Sequence, residues 1–283
     1  MRTTIVIPTY NERENLRPLV ERIAALRIPD CTILVVDDAS PDGTGTLADA
    51  LAHAYPLRVL HRLQKEGLGA AYVAGFTRAL ADGADVIVQM DADESHDPGE
   101  IPGMIALLAP VSLRGRSRSN PGLLVTTVHI GRDCFVASAP RNDTGEGADL
   151  VIGSRRVRGG RIIGWGLHRR LSSRAAQVFA RLVLGFRTKD ITSGFRVWRA
   201  DALARVLDQK RDRKRGQTLL RKGSDPVSDS SLTPAAGYAF QEEMLYRAEQ
   251  TGLRIIEHPI TFRDRERGRS KLGWRDILGF FHT

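Results

Sequence analysis

The stretch Val86-Ile87-Val88-Gln89-Met90-Asp91-Ala92-Asp93 decides the reading of this chain. A β-branched and apolar run is the pattern of a buried strand, and this one runs directly into two carboxylates one residue apart. In an extended segment, side chains at i and i+2 point the same way, so Asp91 and Asp93 can face one cation, directly or through water. Mg²⁺ or Mn²⁺ takes such oxygen ligands and leaves positions open for diphosphate oxygens. The same D-x-D spacing also occurs in ordinary caps and turns. What favours a metal site is its place at a strand end, with Asp37-Asp38 ending another strand. Ser95 and His96 follow, as further contacts or as free surface residues.

Upstream, Thr3–Ile7 is a short β-rich run stopped by Pro8, and Leu16, Leu19, Val20, Ile23 and Leu26 recur at helical spacing, with Asn11 or Asn15 as cap. Strand Thr32–Val36, a helix through Leu47 and Leu51, strand Leu57–Leu60 and helix Ala70–Leu80 complete the series. This alternation predicts an α/β fold with a mostly parallel central sheet covered on both faces. Ligands of such sheets bind beyond the carboxyl ends of the strands. Pro8-Thr9-Tyr10-Asn11-Glu12, Asp37-Asp38 and Asp91-Ala92-Asp93 all fall there and are expected to share one edge.

Downstream, Leu150–Ser154, Phe195–Trp198 and Ile255–Ile260 read as strands, and Leu171–Leu184, Phe240–Gln250 and Asp276–Phe281 as helices. Residues 110–147 and 209–234 read as loop insertions, with Leu123–Ile130 a candidate edge strand. One domain is expected over residues 1–283, with a nucleotide and metal half at about 1–108 and an acceptor half at about 148–283.

Composition narrows the class. The chain has 283 residues, 42% hydrophobic and 27% charged, with net charge +9; that apolar content excludes a disordered protein. No run of about 18 apolar residues occurs, so no transmembrane helix is expected. The N-terminal strand is too short for a signal peptide. Two cysteines, Cys31 and Cys134, argue against a disulfide scaffold or a cysteine zinc site. A cytoplasmic protein is expected. Residues 1–100 carry 9 basic and 16 acidic side chains, residues 150–215 carry 18 and 4. The first half suits a cation, the second phosphates, an anionic membrane surface or nucleic acid.

Other motifs are weaker alone. Tyr10 and Glu12 offer a ring for a nucleoside and a carboxylate for a base or ribose, or a helix cap built with Asn11 and Glu14. The basic loop Arg263–Lys271 suits phosphates or is solvated surface; without interleaved aromatics it is a poor nucleic-acid patch, and no nucleic acid is expected. Gly67-Leu68-Gly69 lacks the third glycine of a dinucleotide fingerprint. No G-x-S-x-G elbow occurs.

Together, Val6–Glu12, Val35–Thr44 and Met90–Asp93 resemble the inverting family 2 glycosyltransferases with a GT-A fold. The segments His61-Arg62, Lys65–Tyr72, Gly153-Ser154-Arg155, Gly164-Trp165, Arg169, Asp190–Arg196, Gly237–Gln241 and Arg265-(x)4-Ser270-Lys271 look like polyprenol (dolichyl) monophosphate mannose synthases, closest to the actinobacterial branch. The resemblance implies transfer of mannose from GDP-mannose to a polyprenyl phosphate with a divalent cation, Mg²⁺ or Mn²⁺. Carried over by position, it implies that Pro8, Tyr10, Glu12, Val36 and Asp38 line the nucleotide. Asp91 and Asp93 would hold metal and diphosphate, with Ala92 against GDP. Arg155, Arg265 and Lys271 would bind phosphates, Arg169 and Ser173 the acceptor phosphate, and Asp190 would lie near the reacting sugar; Asp93, Arg169 and Asp190 are the catalytic candidates. A peripheral enzyme on the cytoplasmic membrane face is expected, held by basic side chains, by Gly273–Phe281 or by a membrane-embedded partner. The competing readings are a polyprenyl-phosphate glucosyltransferase using a UDP-sugar and a non-catalytic phosphate- or nucleic-acid-binding protein.

Overall fold

The computed structural model describes residues 1–108, 135–138, 147–208 and 238–264. In chain order the elements are β1 (Thr3–Thr9), α1 (Arg13–Ala25), β2 (Cys31–Asp37), α2 (Thr44–Ala52), β3 (Leu57–His61), α3 (Leu68–Ala81) and β4 (Val86–Gln89). A 3₁₀ turn, Pro98–Glu100, leads into α4 (Ile101–Ala106). Then come β5 (Phe135–Ser138), β6 (Leu150–Ser154), β7 (Arg161–Ile163), α5 (Leu167–Leu184) and β8 (Arg196–Arg199). Helical residues 200–208 form α6, followed by α7 (Tyr238–Gln250), β9 (Ile255–Pro259) and β10 (Thr261–Arg263).

Eight strands form one sheet in the order β3-β2-β1-β4-β8-β6-β9-β5. The first four are parallel; β8 runs antiparallel between β4 and β6, β6 and β9 are parallel, and β5 closes the edge antiparallel to β9. The mostly parallel sheet is as expected. Register puts Thr9 beside Asp37 and Asp37 beside His61, so the carboxyl ends of β1, β2 and β3 align.

Strand alternation divides the core in two. Ile5 and Ile7 of β1, Ile33 and Val35 of β2 and Val88 of β4 meet Leu16, Leu19 and Ile23 of α1, Leu51 of α2 and Met104 of α4. Val6, Leu34, Val36 and Ile87 face the other way, onto Tyr72 and Phe76 of α3, Trp198, and Phe240 and Leu245 of α7. At Gly75 a Cβ would lie 2.4 Å from Val6 Cγ1 and 2.9 Å from Val36 Cγ2, so only glycine lets α3 lie this close to the sheet.

Two expectations change. Phe135–Ser138, inside the stretch read as loop, pairs with β9, its aromatic and β-branched residues favouring an edge strand. Leu123–Ile130, the rest of the 110–147 stretch up to residue 146, residues 209–234 and helix Asp276–Phe281 lie outside the described residues. Neither Asn11 nor Asn15 caps α1. Its N-cap is Glu12, without a side-chain cap bond, and Asn11 has a left-handed φ of 56°. The loop before α2 does the capping: Ser40 Oγ, Thr44 Oγ1 and Asp42 Oδ2 accept from the N–H groups of Asn11, Glu12 and Arg13. Partial burial pushes the Asp42 carboxyl up, but its bonds from Thr44 and Arg13 outweigh that and lower it. Among the described residues no helix is long and apolar enough to cross a membrane.

Candidate active site

The polar clusters meet at the carboxyl edge of the sheet. Pro8 and Val36, predicted to line a nucleotide, are register partners one residue from the ends of β1 and β2. Tyr10 lies just beyond, with Lys65 Nζ 3.8 Å from its ring centroid. Glu12 accepts from Asn15 Nδ2 at 2.8 Å. Asp37 takes Thr9 Oγ1 and Ser40 N. Asp38 is buried and accepts from Gly67 N at 2.9 Å, Glu66 N at 3.2 Å and Arg62 Nη1 at 2.5 Å, with Arg62 also paired to Glu66. Asp38 therefore shapes the loop before α3, the loop that carries Lys65 to Tyr10.

Asp91 and Asp93 follow β4, and both are half-buried, with Ala92 buried between them. Tyr72 donates to Asp91 Oδ1 at 2.7 Å. Burial first, and then the Asp91 charge, hold the Tyr72 hydroxyl well above its usual value, so it remains a donor. Asp91 Oδ2 faces the α-carbon of Gly194, where a Cβ would lie 2.9 Å away; a side chain there would displace the carboxylate. Ser95 donates to Asp93 Oδ1 through both N and Oγ. Asp93, Ser95, Thr261, Arg263 and Asp264 line a cavity of about 240 Å³.

These residues suit a divalent cation of the Mg²⁺ class, which is commonly held by one or two carboxylates, with waters and substrate phosphates completing the shell. Among the described residues no group of three or more His, Cys, Asp or Glu side chains is placed to hold a metal alone. Ser95 is engaged with Asp93. His96 is buried, stacked on Phe195 at 5.1 Å and edge-on to Phe262 at 5.8 Å. Burial lowers its pKa, against the raising influence of Asp91, Asp93 and Asp190, so the ring is neutral near pH 7. The Phe262 ring that it meets also lies beneath Arg155, at 5.1 Å.

The second group follows β6. Asp190 is fully buried and grips Arg155: N and Nε donate to Oδ2, each at 2.8 Å, and Nη2 donates to Oδ1 at 2.7 Å. Arg155 also donates to Thr192 Oγ1 and lies over the rings of Phe262 and Trp165. Burial alone would raise the Asp190 pKa; the charge and hydrogen bonds of Arg155 overcome it and lower it. Beneath, Glu257 takes the N–H groups of Lys189 and Asp190. Thus Asp190 and Arg155, expected in separate roles, form one unit. Ser173 accepts from Arg156 Nη2 at 2.8 Å. The Arg169 side chain, Arg265 and Lys271 lie outside the described residues.

Arg156, Arg196 and the pair Gln89–Gln241 were not singled out as site residues by the sequence reading. Arg196 is fully buried and donates to the carbonyls of Ser193, Ile191 and Gln241; burial, partly offset by Asp190, lowers its pKa to about 10. Gln89 donates to Gln241 Oε1 at 2.6 Å and accepts from Trp198 Nε1. Gln89 sits inside an apolar strand, which was the available signal: a buried amide needs a partner.

Residues 4–110 match the family model described as Glycosyl transferase family 2. The undecaprenyl-phosphate mannosyltransferase of Micrococcus luteus is 37% identical over 273 residues, covering 96% of this chain and 88% of that protein. The polyprenol monophosphomannose synthase of Mycolicibacterium smegmatis is 38% identical over 278 residues, 98% of this chain and 83% of that protein. Among solved structures, the mannosyltransferase PcManGT from Pyrobaculum calidifontis, in complex with GDP-Man and Mn²⁺, aligns with TM-score 0.54 at 16% identity over 97% of this chain and 59% of that one. At that identity the likeness speaks for the fold, which is GT-A.

Proposed function

We propose, on the premise that this chain belongs to the polyprenyl-phosphate mannosyltransferases of glycosyl transferase family 2, that it transfers mannose from GDP-mannose to a polyprenyl phosphate with inversion at the sugar carbon. The observation that carries this reading is the meeting of two charged groups: Asp91 lies against Gly194, in the loop whose Asp190 and Thr192 hold Arg155, and His96 and Arg155 both pack on Phe262. A site that transfers a sugar between two phosphates must hold both anions at once, and this arrangement offers a cation-holding pair and an arginine group side by side.

Asp91 and Asp93 would hold Mg²⁺ or Mn²⁺, which when bound neutralises charge on the departing diphosphate. Tyr72 fixes one oxygen of Asp91, and Ser95 fixes one of Asp93. Pro8, Tyr10, Glu12, Val36 and Asp38 line the nucleotide end, with Ala92 against GDP. A phosphate monoester is already anionic near pH 7, its second pKa being about 6. Its oxygen forms the new bond to the sugar carbon while the bond to the diphosphate oxygen breaks and the electron pair leaves with GDP. No proton has to be removed, so no general base is assigned. The chain contributes placement and charge. Asp190 supports the reaction through Arg155.

The acceptor is a lipid, and α5 presents a matching surface. Val178, Phe179, Leu182, Val183 and Leu184 are 44% to 80% exposed, while Arg174 and Arg181 lie on the same helix. An apolar strip with adjacent cations suits the surface of an anionic bilayer, and the enzyme is read as peripheral on the cytoplasmic face.

Transfer of labelled mannose from GDP-mannose to a short polyprenyl phosphate tests the reading, with Mg²⁺ or with EDTA, and with Asp93→Ala beside the unmodified chain. Product that requires metal and disappears in the variant is expected. A folded protein stabilised by UDP-glucose and indifferent to GDP-mannose would overturn the choice of donor.

A further inference from the structure

The connection from α5 to β8 runs through the interior: Thr188, Asp190, Ile191, Ser193 and Gly194 are all buried. Loops usually stay at the surface, because a buried one must find partners for its backbone polar groups. Here charged side chains from distant elements supply them. Glu249, in the last turn of α7, takes the N–H groups of Arg187 and Thr188 and the Thr188 hydroxyl. Glu257, in the middle of β9, takes the Lys189 N–H on Oε2 at 2.8 Å and the Asp190 N–H on Oε1 at 2.9 Å. Arg196 donates to the carbonyls of Ile191 and Ser193. Ser193 Oγ donates to the Gly153 carbonyl at 2.6 Å and ties the loop to β6.

Glu257 is the costly member of this set. It has no exposed surface and lies in an inner strand, paired with Ile152 of β6 and Phe135 of β5. Burial raises its pKa, against the bonds from Lys189, Ser154 and Asp190. An apolar side chain in this place, like Ile255 and Ile256 before it, would need no such partners, and departures of this kind concentrate at functional sites. The loop that Glu257 holds touches both charged groups: Asp190 and Thr192 grip Arg155, and Gly194 lies against Asp91 Oδ2. We propose that Glu257 is a positioning residue for the transfer, fixing the loop 187–194 and, through it, the spacing of Arg155 from Asp91. This rests on the mannosyltransferase reading and extends it to a residue that touches neither substrate. A displacement that depends on alignment loses about a hundredfold for a misplacement of about 1 Å.

Steady-state transfer of labelled mannose to a short polyprenyl phosphate with Mn²⁺, run below each variant's thermal midpoint, tests this beside hydrogen exchange read by mass spectrometry. Glu257→Gln leaves one acceptor oxygen for two N–H groups. It should lower kcat about ten- to hundredfold and leave the GDP-mannose KM within about threefold. The peptide spanning 187–194 should exchange faster, while β1 to β4 stay protected. Glu257→Asp, which draws the carboxylate back from the loop, should show the same pattern and serves if Glu257→Gln does not fold. Glu249→Gln loosens the outer end of the same loop; it should lower the thermal midpoint and leave kcat within about twofold. In an Asp190→Asn background, Glu257→Gln should change kcat by less than about twofold, since both act through Arg155. A folded Glu257→Gln with the kcat of the unmodified chain overturns the inference. So does full additivity with Asp190→Asn, or a fall in kcat for Glu249→Gln as large as that for Glu257→Gln, which would reduce the effect to general loosening. Each of these leaves the mannosyltransferase reading standing. An unmodified chain that is stabilised by GDP-mannose and Mn²⁺ yet transfers no mannose refutes that reading and the role of Glu257 in transfer with it.

Discussion

Asp190→Asn separates a supporting carboxylate from a reacting one. Asp190 has no exposed surface and accepts three hydrogen bonds from Arg155, two at Oδ2 and one at Oδ1. Asparagine keeps the shape but one acceptor oxygen at most, and its amide hydrogens then face an arginine donor. More importantly, Arg155 is left as a buried cation without its partner. Breaking a buried pair in this way costs about 3–5 kcal/mol, a large fraction of the roughly 5–15 kcal/mol of an ordinary domain. The thermal midpoint should fall by roughly 10 °C, and urea titration should give the loss directly. Replacing both partners, Asp190→Asn with Arg155→Met, removes the stranded charge and should recover a good part of it. Because the folded Asp190 pKa is lowered, its stabilisation is present above the unfolded value near 3.9 and is lost as pH falls through the folded value. The gap between Asp190→Asn and the unmodified chain should therefore be full at pH 7 and narrow below about pH 4. A loss under about 1 kcal/mol at pH 7, with transfer abolished, would refute the reasoning and make Asp190 a reacting group.

Three further outcomes are expected. Gly75→Ala places a methyl group against Val6 and Val36; overpacking should cost about 1–3 kcal/mol by urea titration, and Val6→Ala in the same chain should restore part of it. Burial raises the Glu242 pKa to about 7, partly opposed by Arg196. The folded chain then holds a proton that the unfolded chain has lost between about pH 4.3 and 7, so this group lowers stability as pH rises through that window. Glu242→Gln should match the unmodified chain near pH 4 and exceed it at pH 8 in urea midpoint; equal midpoints at pH 8 would contradict the burial. Leu182→Glu with Val183→Glu should abolish flotation on anionic vesicles without moving the thermal midpoint, and undiminished flotation would remove α5 from the membrane contact.

The sheet and the polar residues at its carboxyl edge were legible because their signal is local. An alternation of strand and helix can be read residue by residue, and so can carboxylates at strand ends such as Asp37 and Asp91. What escaped the sequence depends on distance along the chain. Arg155 and Asp190 are 35 residues apart, and Tyr72 and Asp91 are 19 apart; no periodicity reports that their side chains meet. The cap of α1 comes from Ser40, Asp42 and Thr44 rather than from Asn11 or Asn15. The three-residue strands β7 and β10 are too short to show a pattern, and each is specified by the other in parallel register. Resemblance named residues one by one, yet could not say which of them bind one another.

That distinction bears on the charge asymmetry. An acidic first half suggests a cation site, but most of its strand-end carboxylates are occupied by the protein itself. Asp37 takes Thr9 and Ser40, Asp38 takes two backbone N–H groups and Arg62, and Asp42 takes Thr44 and Arg13. A carboxylate already accepting several N–H bonds holds a loop in place and has little left for a metal. Asp91 takes the Tyr72 hydroxyl and Asp93 takes the N–H and hydroxyl of Ser95, so both are held in place just beyond β4. The basic half divides likewise: Arg196 holds carbonyls, Arg155 holds Asp190, and Arg156 holds Ser173. On the proposed reading, these acids and bases build the frame that positions two anions, and positioning is what a displacement needing no general base requires.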